Sequence, residues 1–181
     1  GRLWFNEQTS NSIAVFDPIK ESFVEYLVPS QNPNWADCGN LESCGIAQVL
    51  DFTISGDKIW FTEWVENNIG VLNSSIPLPI EVNLEPNEIV LNKGETTAVS
   101  FTITSKEQLD EVVTLTTANT AAPNDIIVDG ADKKITVKNQ PEIVSLSLSA
   151  DEFALSGTHK LLVGAQYKEV TVSQFITITI K

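Results

Sequence analysis

Two cysteines, one histidine and a scatter of carboxylates are the residues of this chain from which a chemical site could be built. Cys38 and Cys44 bracket the run Cys-Gly-Asn-Leu-Glu-Ser-Cys, a short loop with Gly39 and Asn40 to turn it. A pair at that spacing suits a disulfide, and by the chain-entropy model so small a ring contributes only about 2 kcal/mol, enough to hold a loop rather than a domain. The alternative is a metal site, but with no His or second Cys pair nearby it stands two ligands short of a structural zinc. The disulfide carries with it an oxidising, extracytoplasmic location. Glu7 and Glu63 have the look of a carboxylate pair for general acid–base work. Asp51, Asp57 and Glu66 could donate oxygens to calcium, yet no loop carries the alternating acidic pattern of a dedicated site. His159 is remote in sequence from all of them, and its simplest role is an imidazole at a strand corner bonded to backbone. No Ser-His-Asp set, phosphate loop or thiol nucleophile can be assembled, so no residue is assigned a catalytic, cofactor-binding or metal-binding role.

The elements that must position these groups show themselves through an internal repeat. Trp4, Phe5, Glu7, Asn11, Ile13 and Val15 return, ungapped and fifty-six positions later, as Trp60, Phe61, Glu63, Asn67, Ile69 and Val71. Structural duties repeat and catalytic duties usually do not, so Glu7 and Glu63 read as strand-capping or backbone-bonding groups of two copies of one unit. Trp4 and Trp60 are expected to fill the space between sheets, because an aromatic recurring at the repeat period does that. Trp64 stands opposite Gln8 and so departs from the repeat. It is a candidate contact residue, as is Trp35 in the long stretch from Ser30 to Cys44. Strands are expected near residues 3–7, 12–16, 22–28, 46–54, 58–63 and 68–72, with turns at Asp17-Pro18 and Gly56-Asp57.

The run Phe23-Val-Glu-Tyr-Leu-Val-Pro29, then Gly45-Ile46, Ile59-Trp-Phe-Thr-Glu63 and Asn67-Asn-Ile-Gly70, resembles one full repeat of the virginiamycin B (streptogramin) lyase type of β-propeller. The likeness spans residues 2–73 and implies about one and a half C-terminal blades of such a propeller. It also implies, for the family's enzymes, a central His and a magnesium ion. The segment Gln48 to Ser55 holds no His, so the resemblance brings no catalytic residue into this chain, and magnesium or calcium enters by family resemblance alone. The chain starts inside a repeat, lacking the inner strand of its first blade, which suggests a processed or cut product of a longer chain. A repeat array this short leaves its terminal faces open, so residues 1–75 are expected to be covered by upstream blades or a protein partner.

Ser74-Ser-Ile-Pro-Leu-Pro79 marks a boundary, and from Ile80 the sequence alternates with hardly a helix signal. Val99, Phe101 and Ile103 oppose Ser100, Thr102 and Thr104. Leu146 and Leu148 sit between serines, and Ile176, Ile178 and Ile180 alternate with threonines. Turn signals at Asn92-Lys-Gly94, Asp129-Gly130 and Ser156-Gly157 divide the segment into about seven or eight strands, the signature of an immunoglobulin-like sandwich. The half resembles the Ig-like modules of prokaryotic surface proteins, with Gly157-Thr158-His159 where a Gly-Thr-Tyr corner is expected. The fold expected is therefore all-β: a partial propeller over residues 1–75 and a β-sandwich over 76–181.

Composition narrows the function. A net charge of −13 with 11 Lys and Arg argues against nucleic acid and anionic membrane surfaces, since no basic cluster exists to meet phosphates. No run of eighteen apolar residues is present to span a bilayer, though a membrane-associated complex stays open. Asn73-Ser74-Ser75 is a glycosylation sequon. The sequence thus points to a secreted or cell-surface protein of binding or assembly, leaning away from an enzyme. The alternative is the non-catalytic end of a propeller lyase whose active site lies in upstream blades.

Overall fold

A computed structural model describes residues 1–30, 46–119, 121 and 125–181. Cys38, Cys44 and Trp35 lie outside the described residues. Among the described residues there are strands and no helix, and the sheets are mostly antiparallel. Two compact units divide the chain: residues 1–18 with 23–78, and residues 19–22 with 79–181.

The first unit carries two sheets. Strands β1 (Leu3–Glu7), β2 (Ser12–Asp17) and β3 (Ser22–Leu27) lie side by side in that order, and β4 (Val49–Ser55), β5 (Lys58–Glu63) and β6 (Asn68–Asn73) form a second sheet in theirs. The repeat is the pairing of β1 with β2 and of β5 with β6. Trp4 stands opposite Val15 and Asn6 opposite Ile13, just as Trp60 stands opposite Val71 and Thr62 opposite Ile69. The connecting turn is also repeated, since Asn11 and Asn67 both adopt the left-handed region, at φ 57° and 54°, where Asn is among the few tolerated side chains. β4 pairs with β5 through Val49 opposite Glu63 and, after a register irregularity, from Phe52 to Ser55.

Alternation gives each sheet two faces. Leu3, Phe5 and Glu7 share one, here the front, and Trp4, Asn6, Ile13 and Val15 share the other, here the rear. In the second sheet Ile59, Phe61 and Glu63 are the front, and Trp60, Thr62, Ile69 and Val71 the rear. The unit's core forms where the rear of the first sheet meets the front of the second: Ile13, Val28, Ala47, Val49, Ile59 and Phe61 bury together, with Trp4, Phe52 and Leu72 packed at the margin.

The second unit is a two-layer, sandwich-like arrangement. One layer orders β11 (Ile126–Asp129), β13 (Glu142–Ala150), β9 (Thr96–Thr104) and β7 (Glu81–Glu85). The other holds β8 (Glu88–Leu91) parallel to β15 (Val170–Ile180), then antiparallel β14 (Gly157–Tyr167), β10 (Val113–Asn119) and β12 (Lys134–Ile135). The alternating apolar rows read from the sequence are the buried ones: Val99, Phe101 and Ile103, Leu146 and Leu148, and Ile176, Ile178 and Ile180. Leu84 N–H donates to Gln174 Oε1 at 2.9 Å, joining β7 to β15 through a side chain.

Candidate interaction faces of the repeat unit

Asparagines lock the two sheets of the first unit together. Asn6 Nδ2 donates to the carbonyls of Val49 at 2.8 Å and Leu50 at 3.2 Å. Asn11 is buried and works in three directions: its Nδ2 donates to Val28 O at 2.9 Å, its Oδ1 accepts from Gln48 N–H at 2.9 Å, and its own carbonyl accepts from Val28 N–H at 2.8 Å. A turn residue of the first copy thereby satisfies backbone groups of the next segment, which would otherwise be buried without partners.

The same row in the second copy is open. Ile13 is 1% exposed and Val15 6%, whereas their counterparts Ile69 and Val71 are 67% and 51% exposed. Trp60 is 40% exposed, with Lys58 Nζ lying 5.9 Å from its ring centroid. This corrects the expectation that both tryptophans fill inter-sheet space. Trp4 does, packed at the core margin and stacked on Tyr26 at 6.3 Å, because the second sheet covers it. Trp60 does not, because its side of the second sheet is left open. Trp60 and Ile69, together with Asp51, Thr53 and Thr62, line a shallow depression on that face. A second depression is lined by Gln48, Trp64, Val65 and Asn67. Trp64 is well exposed, as its departure from the repeat suggests, and its N–H donates to Gln48 O at 3.3 Å. Asn67, the counterpart of buried Asn11, is exposed.

The opposite face of the first sheet has its own chemistry. Phe5 and Phe23 meet with ring centroids 5.4 Å apart, and Glu7 and Glu25 hydrogen-bond to one another. Both pairs bridge the central strand β2, where Ser12 and Ala14 are small enough to let their neighbours meet above them. Burial, then the Glu7 charge, then the hydrogen bond to Glu7 push Glu25 up to about 7. Ser10 Oγ donates to Glu7 Oε2 at 3.1 Å. Leu3, at 60% exposure, forms the edge of this face.

Glu7 and Glu63 are thus not brought together as a pair. Glu7 faces Glu25, while Glu63 is 6% exposed within the packed front of the second sheet, across from Val49 and Asn68. The Glu7–Glu25 contact escaped the sequence reading, although a signal existed. Phe-x-Glu occurs at 5–7 and again at 23–25, on strands flanking Ser-Ile-Ala. One carboxylate oxygen of Glu66, Oε1, is buried without a hydrogen-bond partner among the described residues. No group of three His, Cys, Asp or Glu side chains among the described residues converges on a metal position. His159 Nε2 lies 3.1 Å from Leu155 O. Asn73 is exposed at the end of β6, its Oδ1 accepting from Ser75 N–H at 3.1 Å and Ser75 Oγ at 2.8 Å. No helix among the described residues is long and apolar enough to cross a membrane.

No protein-family model matches the chain, and no curated protein does. Among solved structures it is similar to domains 4 and 5 of the S-layer protein SbsC, at 8% identity and TM-score 0.38, covering 68% of this chain and 64% of that one. It is also similar to a conjugative transposon lipoprotein from Bacteroides eggerthii DSM 20697, at 15% identity and TM-score 0.36, covering 58% of this chain and 99% of that one. The chain spans less than two thirds of the S-layer structure it matches. Likeness at these TM-scores carries no functional argument, and the reading of function rests on the faces described above.

Proposed function

We propose that this chain is an extracytoplasmic, non-catalytic binding and assembly protein, in which two lyase-like propeller sheets precede an Ig-like sandwich. The observation that carries the reading is the open rear of the second sheet, where residues of the types buried at the same repeat positions in the first sheet face solvent. Apolar surface of this kind, ringed by Asp51, Thr53 and Thr62, is the mark of a contact surface rather than of a catalytic pocket. The location follows from the acidic composition and from the Cys38 and Cys44 spacing.

Protease shaving of intact cells, combined with non-reducing peptide mapping of the native protein, tests the reading. Peptides of this chain should be released from the cell surface or found in the medium, and Cys38 and Cys44 should be recovered as one bonded peptide pair. Recovery of both as free thiols from protein confined to the cytosol would overturn it.

A further inference from the structure

Two faces of the first unit lie outside its core and are not alike, and each has its complement inside the same unit. The internal contact packs Trp4 and Ile13, on the rear face that also carries Val15, against Ile59 and Phe61, on the front face that also carries Glu63. By the repeat, the open rear of the second sheet presents Trp60, Ile69 and Val71, and the outer face of the first sheet presents exposed Leu3 with half-buried Phe5 and Glu7 over buried Ser12 and Ala14. These are the two halves of the contact already made once within the unit. We propose that a second copy of this chain docks its Leu3, Phe5 and Glu7 face onto the Trp60, Ile69 and Val71 face of the first, repeating the internal contact between molecules.

A second observation, polar rather than apolar, points the same way. In the internal contact Asn11 accepts the backbone N–H of Gln48 from the adjoining sheet, at 2.9 Å. Asn67 holds the same left-handed turn, is exposed, and borders an open depression. Its amide is presented with the backbone conformation in which Asn11 binds an incoming segment. The docking deepens the binding and assembly reading and rests on it, naming the partner as the chain's own first sheet.

Sedimentation equilibrium of the full 181-residue chain over a wide concentration range tests it, with two charge insertions at exposed positions. Leu3→Lys blocks the front and Ile69→Lys the rear. The wild type should self-associate, and each variant alone should do so at least about tenfold more weakly, as expected for a charge placed within an apolar contact. An equal mixture of the two variants should restore a one-to-one dimer through the remaining intact pair of faces. Thermal melts matching the wild type establish that the variants fold, and Val71→Lys replaces Ile69→Lys if that one does not. A wild type that stays monomeric throughout would overturn the proposal, as would undiminished self-association of Leu3→Lys alone, which would mean a rear-to-rear contact. A monomeric chain still found outside the cell with Cys38 and Cys44 bonded would sink the self-docking and leave the wider reading standing.

Discussion

At the scale of single residues, the most informative group is Glu25, held beside Glu7 over the small side chain of Ser12. Its folded value of about 7 stands above the ordinary 4.5 chiefly because burial penalises the charged form. The folded state therefore keeps a proton that the unfolded chain has already released between those two values. The stability this contributes is fully present below pH 4.5 and is lost as pH rises through 7. The first unit should accordingly melt at a higher temperature at pH 5 than at pH 8, and Glu25→Gln should flatten that difference by raising the pH 8 value. Calorimetric melts of both proteins across this range decide the matter, and an unchanged slope in Glu25→Gln would place the titration elsewhere. The repeated Phe-x-Glu at 5–7 and 23–25 is the only sequence sign of the contact, and it is faint because the two carboxylates meet across an intervening strand. Period-two alternation says which face a side chain takes, but not which neighbour is tall enough to reach over the strand between.

Elements were more legible than sites. The strands of the first unit fall within a few residues of where the alternating runs and turn signals put them, and the repeat gave the matched pairing of β1–β2 and β5–β6. What it could not give is coverage. A repeat assigns Trp4 and Trp60 the same face, yet burial depends on whether another sheet lies there, and among the described residues only Trp4 has one. One position inside the repeat does differ in a way packing explains. Ala14 in β2 corresponds to Gly70 in β6, where an added Cβ would fall 2.2 Å from Phe61 Cε2 and 2.8 Å from Glu63 Oε1. Phe61 lies directly over the β6 backbone, so Gly70→Ala forces the ring from its place in the core. The substitution should cost roughly 1–3 kcal/mol in denaturant titrations, the usual range for overpacking. A neutral result would mean that the front of the second sheet yields more readily than its burial implies.

For the whole molecule, the contrast between units is one of self-sufficiency. Residues 79–181 bury Phe101, Leu115, Leu146, Leu161 and Ile176 between their own two layers, so the segment holds a core of its own. Expressed alone, residues 79–181 should unfold in one cooperative transition, with calorimetric and van't Hoff enthalpies in agreement. A broad, non-cooperative melt would show that the layers need the rest of the chain. The alternating rows made this half readable in advance, because along β9, β13 and the end of β15 the inward residues are mostly apolar and the outward ones mostly Ser or Thr. The Cys38 and Cys44 loop lies outside the described residues, so its bonding is a matter for chemistry rather than geometry.

Asn73 closes the same row of β6 that carries Ile69 and Val71. A glycan added to its sequon would stand at the rim of that face and leave the Leu3 side of the molecule untouched. Such a molecule could accept no newcomer on one side while still joining a stack by the other, so it would act as a terminator. The length of any array would then be set by the fraction of chains that carry sugar, a quantity set by the modification and not by the fold.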